Sequence, residues 1–152
     1  MKTVIRDYHE ADFSSLLNLI GSIIRHSGAE TDQETLTDYI RENIDFHSDH
    51  IKILEVEDKG IIGYYRYIIE KIGDRLSKRA YLLDIDVVPK YQRKRYGTKL
   101  MTNLINELRE KGIHVLFSRT FEKNTGSIEF HKKNGFVIQR QAHESIFWVL
   151  EL

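Results

Sequence analysis

The stretch Tyr81–Leu108 reads YLLDIDVVPKYQRKRYGTKLMTNLINEL, and it predicts a strand, a tight basic turn and an amphipathic helix. The run Tyr81–Val88 is short and mostly apolar and ends at Pro89, the only proline in the chain, which is typical of a strand. Its apolar residues fall on both faces, which favours a central strand covered by helices on each side. Helical spacing then begins and places these residues on one face: Tyr96, Leu100, Met101, Leu104, Ile105 and Leu108.

The turn between this strand and this helix has the outline of a phosphate site. The first backbone N–H groups of a helix have no internal partner, and the helix dipole places partial positive charge there, so a pyrophosphate can bind. Gly97 allows close backbone approach, and Arg93, Lys94 and Arg95 add positive charge. The alternative is a solvated basic turn before an ordinary helix, and a single glycine does not decide between the two.

Two motifs resemble those of the GNAT family, the GCN5-related N-acetyltransferases. Val87–Leu100 is similar to the central family motif Val-x-Pro-x-Tyr-(Arg/Gln)-x-x-Gly-x-(Gly/Ala), with Gln92 and Gly97 on its ends and Arg95 where the first glycine is expected. Asn124–Phe136, NTGSIEFHKKNGF, resembles the segment that opens with Asn and closes with Lys-x-Gly-Phe. In that segment, His131 occupies the position that is usually tyrosine.

The rest of the chain predicts an α/β fold with the element order βααβββαβαββ, which is also the order that the resemblance implies. We expect one GNAT-like domain over residues 1–152, with a mixed central sheet and helices on both faces. The segments around the central one are predicted as a first strand at Lys2–Asp7, a helix at Glu10–Arg25, a second helix opened by a capping box at Thr31 and Glu34, a hairpin over Ile51–Ile69, a turn at Gly73–Lys78, a parallel strand at His114–Thr120, a short helix at Asn124–Asn134 and a closing hairpin over Phe136–Leu152.

Composition excludes several classes of function. Lys plus Arg equals Asp plus Glu at 23 each, so net charge is zero, which disfavours a nucleic-acid partner. The absence of cysteine excludes disulfides, thiolate metal sites and a cysteine nucleophile, and it fits a reducing, cytoplasmic location. No signal peptide is expected after Met1, and no apolar run approaches the roughly 18 residues of a membrane span, so we expect no membrane partner.

The GNAT resemblance implies transfer of an acetyl group from acetyl-CoA, as co-substrate, to an amine. It implies that the backbone of Ile85, Asp86 and Val87 pairs with the pantetheine arm, and that the Val87 N–H binds the thioester oxygen. Asn124 is the implied second cofactor contact. The residues implied to hold the pyrophosphate through their amides are Gln92, Arg93, Lys94, Arg95, Tyr96, Gly97 and Thr98.

Three residues are candidates for proton transfer. His131 matches the position that protonates the leaving thiolate, and histidine can do this near neutral pH; the alternative is a packing histidine. Asp84 and Asp86 share one face of a strand, where proximity raises one pKa and favours a base. We favour Asp84, which matches an acid in some family members. The alternatives are a carboxylate paired with an arginine, Arg66 or Arg119, and a water chain without any side-chain base.

The acceptor is expected to be a primary amine of a small molecule or a protein N-terminus. An acidic group at Glu30, Asp32 and Glu34 would attract such an amine or complement a helix dipole instead. A metal cluster at His47, Asp49 and His50 is disfavoured, because cysteine and helical His-x-x-x-His spacing are absent. The rival hypothesis is a non-catalytic CoA-binding module, since Arg95 and His131 depart from the family pattern, and a homodimer is left open.

Overall fold

A computed structural model describes residues 2–47 and 50–152, with residues 44–47 described by their backbone alone. The order βααβββαβαββ is confirmed, with two short 3₁₀ turns added at Glu10–Asp12 and Pro89–Tyr91. The elements are β1 (Thr3–Asp7), α1 (Phe13–His26), α2 (Gln33–His47), β2 (Ile51–Val56), β3 (Gly60–Ile72), β4 (Arg75–Val87), α3 (Tyr96–Glu110), β5 (Val115–Phe121), α4 (Thr125–Lys133), β6 (Val137–Ala142) and β7 (Ser145–Glu151).

The strands of the described residues form a mixed sheet in the order β1-β2-β3-β4-β5-β7-β6. β4 pairs with β5 in parallel from Arg79–Val115 to Tyr81–Phe117, while β1–β2, β2–β3, β5–β7 and β6–β7 are antiparallel. A parallel neighbour requires a crossover, which α3 supplies between β4 and β5. The predicted central strand and the predicted parallel strand after it are therefore confirmed.

The chain divides into two compact units, of which the first comprises Met1–Arg66 and Asp84–Leu100 and the second Tyr67–Leu83 and Met101–Leu152. The first has a core of Leu16, Leu19, Leu36, Ile40, Ile51, Ile53 and Tyr64. The second buries Leu104, Leu108, Leu116 and Trp148, each at most 1% exposed. Burying each such side chain stabilises the fold by about 1.5–3 kcal/mol relative to exposure. A single domain over residues 1–152 stays a prediction.

The capping box predicted at Thr31 is wrong by one residue. α2 begins at Gln33, and the Thr35 backbone N–H donates to Asp32 Oδ1 at 2.8 Å, so Asp32 is the capping residue. Thr35 Oγ1 donates to the other carboxylate oxygen, also at 2.8 Å, and these bonds lower the pKa of Asp32. Aspartate caps a helix as well as threonine does, and here its carboxylate is the group that reaches the third helical residue. Asp32 therefore complements the start of α2.

The turn predicted at Gly73–Lys78 is shorter in the structure, because β3 continues to Ile72 and β4 begins at Arg75. Gly73 has φ of 61°, the conformation that two-residue hairpin loops require. The sequence after it, RLSKRA, is too polar to be read as strand. It is nevertheless held by the facing strand, since Ser77 Oγ donates to Glu70 Oε2 at 3.0 Å.

No helix in the part of the chain that the structure describes is long and apolar enough to cross a membrane.

Candidate active site

The basic turn after β4 is fixed by two hydrogen bonds, one from the Gln92 side chain and one from the backbone at the end of β4. Gln92 Nε2 donates to the Val87 carbonyl oxygen at 2.9 Å, and the Val88 N–H donates to the Ile62 carbonyl of β3 at 2.8 Å. Gln92, which follows the 3₁₀ turn Pro89–Tyr91, therefore holds the end of β4 in place. This leaves the backbone between Gln92 and α3 as a short, anchored loop.

Arg93 and Arg95 both adopt the left-handed backbone region, with φ of 61° and 70°. This region costs a non-glycine residue roughly 1–2 kcal/mol, so the turn holds strain at two positions only two residues apart. Strain of this kind persists where the surrounding structure over-determines it and is concentrated at functional sites. Arg95 stands where the family motif has glycine, and its conformation is the one glycine adopts without cost.

The start of α3 offers unpaired amides and positive charge. The Lys99 N–H donates to the Arg95 carbonyl at 3.1 Å, so the amides of Tyr96, Gly97 and Thr98 precede the first helical hydrogen bond. The ammonium groups of three lysines lie over the nearby Tyr91 ring, at 4.9 Å (Lys59), 5.0 Å (Lys90) and 5.9 Å (Lys94) from its centroid. Free amides, helix dipole and cations together suit a pyrophosphate.

A cavity of about 210 Å³ lies in the first unit, beside the carboxyl-terminal half of β4. Its walls are mainly apolar side chains of α1 and α2, and its polar groups come mostly from β3 and β4. The lining residues are Leu16, Ile20, Ile23, Ile24, Tyr39, Ile40, Asn43, Ile51, Tyr64, Arg66, Asp84 and Asp86. The two carboxylates singled out from the sequence therefore line one pocket.

Asp84 is in an ion pair with Arg66. The guanidinium Nε and Nη2 lie 2.8 and 2.7 Å from Asp84 Oδ2, and Nη1 donates to Asn43 Oδ1 at 3.1 Å. Arg66 is only 8% exposed, so its charge needs these partners. The alternative in which an aspartate pairs with Arg66 is thus what the structure shows for Asp84, the carboxylate that the sequence favoured as base.

Asp86 has the more suitable protonation chemistry for a base. Burial, and secondarily the negative charge of Asp84, raises the pKa of Asp86 to about 7. Burial, followed by the charges of Asp84 and Asp86, also raises the pKa of the Tyr64 phenol well above its ordinary value. Asp86 can therefore take up and release a proton near neutral pH, while Tyr64 stays a neutral hydroxyl.

His131 is a buried member of the core of the second unit. It is 2% exposed, and its Nδ1 lies 2.8 Å from the Ser127 carbonyl, which can only accept, so Nδ1 carries the hydrogen. Nε2, 2.8 Å from Ser118 Oγ, then accepts from that hydroxyl. The ring stacks on Trp148 at 5.3 Å, and burial lowers the pKa of His131. This geometry supports the packing alternative rather than the proton-donor hypothesis, which stays a prediction.

Comparison with protein-family models gives a match over residues 12–136 to the acetyltransferase (GNAT) family. The chain belongs to the GNAT acetyltransferase family. The resemblance read from the two motifs is thereby confirmed.

A curated relative of this GNAT chain is the L-amino acid N-acyltransferase MnaT of Escherichia coli, 30% identical over 93 residues. The match covers 59% of this chain and 52% of the relative, so the chain spans about half the length of that protein.

Among solved structures, the PaiA N-acetyltransferase of Thermoplasma acidophilum in complex with coenzyme A has a TM-score of 0.81, with 21% identity over all of both chains. The acetyltransferase YncA of Salmonella typhimurium, with its cofactor acetyl-CoA, has a TM-score of 0.71 and 22% identity, covering 98% of this chain and 93% of its own. At these identities the likeness shows the fold, and the GNAT-like α/β fold is confirmed.

In this GNAT chain, Asn124 is the N-cap of α4, where its Oδ1 accepts from the Ser127 N–H at 3.1 Å. Its cofactor contact stays a prediction. Asn43 and Tyr64 are cavity residues that sequence reasoning did not select, and their only signal was position on an amphipathic helix and an alternating strand. The group His47, Asp49 and His50, which the sequence disfavoured as a metal site, includes the His47 side chain and Asp49, which lie outside the described residues. No group of three candidate metal ligands occurs among the residues that are described.

Proposed function

We propose that this chain is an N-acetyltransferase that moves an acetyl group directly from acetyl-CoA to a primary amine. The observation that carries the proposal is Asp86, a carboxyl with a pKa of about 7 lining a cavity on β4. Its strand continues into the anchored basic turn, which is the family's cofactor motif. A base poised near the working pH and an anion site that follows it in the chain are what acetyl transfer to an amine needs.

The residues of the turn fit the pyrophosphate of acetyl-CoA. The amides of Tyr96, Gly97 and Thr98 are those without a helical partner, and the backbone at Arg93 and Arg95 is already in the reversed conformation. We assign Ile85, Asp86 and Val87 to the pantetheine arm and the Val87 N–H to the thioester oxygen, as the family resemblance implies. Acetyl-CoA supplies the acetyl group in an activated thioester.

Asp86 takes the proton that the attacking nitrogen must lose. An alkylammonium has a pKa near 10, as lysine does, so the acceptor arrives protonated and is not nucleophilic. Transfer of that proton to the Asp86 carboxylate frees the lone pair. The nitrogen then attacks the thioester carbonyl carbon, and the C–N bond forms as the C–S bond breaks. The nitrogen gives its second proton to solvent and the departing thiolate takes one from solvent, so the products are the neutral amide and free CoA. Asp86 returns its proton to solvent before the next cycle. Burial of Asp86, and secondarily the negative charge of Asp84, raises the pKa of Asp86 to about 7, which suits this role.

The test is a panel of amines with acetyl-CoA, read by release of free thiol, to which this cysteine-free chain adds no background. L-amino acids belong in the panel because the Escherichia coli relative carries that name. We expect wild-type rate to fall as pH drops below 7, where Asp86 becomes protonated. Asp86→Asn should lower turnover by about 10²–10⁴-fold, the usual worth of a positioned base, without weakening acetyl-CoA binding.

Asp84→Asn is the matched control, since it removes a carboxylate from the same cavity without removing the base. Loss of its negative charge should lower the pKa of Asp86, so the acidic limb of the pH profile should move to lower pH. Asp86→Asn at wild-type rate, with Asp84→Asn impaired, would reverse the roles and restore the assignment favoured by sequence.

The second candidate is a CoA-binding module without transferase activity. It is favoured by His131, which departs from the family tyrosine and has both ring nitrogens engaged in the core. Acetyl-CoA binding without acetylation of any amine in the panel would support it. A cytoplasmic location, a homodimer and the choice between a small amine and a protein N-terminus stay predictions.

A further inference from the structure

We propose that the acceptor is a primary amine with a short aliphatic substituent and no carboxylate. This rests on the proposed function, because it takes the cavity beside Asp86 to be the acceptor site. Three features of that cavity carry it: the apolar wall, the volume and the arrangement of charge.

The part of the cavity wall that α1 contributes is mainly branched and aliphatic. Ile20, Ile23 and Ile24 follow one another at helical spacing on α1, and each is only partly buried although it lines the cavity. Partly buried isoleucines beside a pocket leave some apolar surface that a ligand would remove from water. Each methylene of a ligand buried there is worth about a fourfold gain in affinity.

The volume limits the length of the substituent. A cavity of about 210 Å³ lies below the roughly 300–1,000 Å³ of ordinary ligand pockets, so it suits a small ligand. The amine nitrogen beside Asp86 takes part of that space, and a short alkyl chain takes the rest. A smaller amine would leave the isoleucine wall hydrated, and a larger one would extend out of the pocket.

The charges admit one ammonium and disfavour a carboxylate. Asp84 and Asp86 offer oxygen acceptors to an ammonium, and Arg66 is the one basic side chain among the described lining residues. Its guanidinium already contacts Asp84 and Asn43, so an α-carboxylate would meet two acidic groups and an engaged cation. A second ammonium on the ligand would lie against the isoleucines without any partner, which is costly.

The experiment measures amine binding to the protein saturated with CoA, by titration calorimetry at pH 8, where Asp86 is ionised. Ethylamine, propylamine, butylamine and pentylamine report the effect of chain length. 3-Methylbutylamine against L-leucine isolates the carboxylate, and pentylamine against 1,5-diaminopentane isolates the second ammonium. We expect affinity to rise about fourfold per methylene. L-leucine and the diamine should each bind at least tenfold more weakly than their partners.

A pair of variants ties this preference to the isoleucine wall. Ile20→Thr should weaken pentylamine binding by about fourfold or more and leave ethylamine unchanged, because only the longer chain reaches the wall. The control is Leu76→Thr, which makes a comparable change at a side chain that is 66% exposed and does not line the cavity. It should leave both affinities as they are.

Turnover of the same amines with acetyl-CoA separates the two proposals. Amines that bind in the expected order without being acetylated would overturn the proposed function and retain the ligand class. Affinity independent of chain length, or L-leucine binding as tightly as 3-methylbutylamine, would overturn the ligand class whether or not acetylation occurs.

Discussion

Asp84 and Asp86 lie two residues apart on β4, and their partners give them different protonation chemistry. Asp84 Oδ2 contacts two nitrogens of Arg66, so this carboxylate is held in an ion pair. Asp86 has burial and that neighbouring charge acting on it, and both favour its neutral form. One carboxylate is therefore held in an ion pair, and the other is a group that changes protonation near pH 7.

This difference predicts how Asp86→Asn changes stability with pH. An unfolded aspartate loses its proton near pH 3.9, whereas folded Asp86 keeps it to about 7, so between these values the folded state binds the extra proton. The contribution of Asp86 to wild-type stability is thus fully present below about pH 4, and it is lost as pH rises through about 7. As pH rises from about 4 to about 7, the free energy of unfolding of Asp86→Asn should increase relative to that of wild type by up to about 1.4 kcal/mol per pH unit.

Urea unfolding of both proteins at pH 5 and pH 8 measures this gain. A constant difference between the two pH values would mean that Asp86 titrates normally, and its role as a base tuned to neutral pH would lose its physical support.

Substitutions at His131 should change the free energy of unfolding without a matching change in turnover, if this residue only packs. His131→Ala removes a stacked, buried ring and should destabilise by about 3–5 kcal/mol, while His131→Phe keeps the ring and should cost about 1–3 kcal/mol for the unpaired Ser118 and Ser127 groups. If His131 only packs, His131→Phe should turn over at less than tenfold below wild type under conditions where it is fully folded. A loss of about 10²-fold or more with a normal unfolding curve would restore the proton-donor hypothesis.

At the scale of elements, β3 and β4 approach closely where Gly63 faces the strand that carries Asp86. A Cβ on Gly63 would lie 2.9 Å from the Asp86 carbonyl oxygen and 3.2 Å from Leu100 Cδ1. Because a backbone carbonyl cannot swing away as a side chain does, Gly63→Ala should destabilise by about 1–3 kcal/mol and displace Asp86, lowering turnover as well.

The control for Gly63 is Gly126→Ala in α4, where the nearest atom to the added Cβ is 4.0 Å away. Alanine is the better helix former, so this change should be neutral or stabilise by up to about 1 kcal/mol. Thermal unfolding of both variants gives the comparison. Equal effects would mean that the β3–β4 approach does not constrain Asp86.

In the basic turn, we expect Arg95 to tolerate substitution by glycine, because its backbone already has the left-handed conformation that glycine adopts without strain. Arg95→Gly relieves the left-handed backbone strain in the folded state but raises the conformational entropy of the unfolded chain. These effects oppose each other, so the free energy of unfolding should change by less than about 1 kcal/mol. Acetyl-CoA affinity should stay within about tenfold if, as proposed, backbone amides rather than the Arg95 side chain bind the pyrophosphate. Arg95→Ala keeps the strain and removes the same charge. If both variants lose more than tenfold in affinity by calorimetry, the guanidinium itself binds phosphate.

Local patterns predicted most elements, because the signals lie within a few residues of each other. α3 begins at Tyr96 where the apolar spacing changes, and Gly112 follows its end with φ of 75°. The start of α2 and the polar hairpin after Ile72 were missed, since Asp32 and Ser77 act through hydrogen bonds whose geometry the sequence does not specify. The cavity depends on long-range packing of α1 and α2 with β4, which no local pattern reveals.

For the same reason the sequence could name Asp84 and Asp86 as a pair but could not say which of them meets an arginine, and the assignment of the base stays a prediction. Arg66 was one of two arginines considered, and only the β3–β4 arrangement decides which carboxylate it meets. For His131, the motif gave its position in the family pattern but not its surroundings. Its partners Ser118 and Trp148 lie on β5 and β7, far from it in sequence or on another element, so no local pattern reveals them.

For the whole molecule, net charge is zero while charge is locally segregated. The basic turn before α3 and the acidic end of the cavity are different parts of the first unit, one suited to a phosphate and the other to an ammonium. A chain without net charge can therefore present one local site for an anionic co-substrate and another for a cationic acceptor. The absence of a nucleic-acid partner stays a prediction.

The measurement that tests acetyl transfer most directly is the yield of both products from acetyl-CoA and 3-methylbutylamine at pH 8. The proposed reaction makes N-acetylated amine and free CoA in equal amounts, and Asp86→Asn should lower both by the same factor of about 10²–10⁴. Thermal unfolding in the same buffer shows that the co-substrate is bound, because acetyl-CoA at 100 times its Kd stabilises by about 2.7 kcal/mol. Stabilisation by acetyl-CoA without N-acetylated amine from any member of the panel would contradict the proposed function.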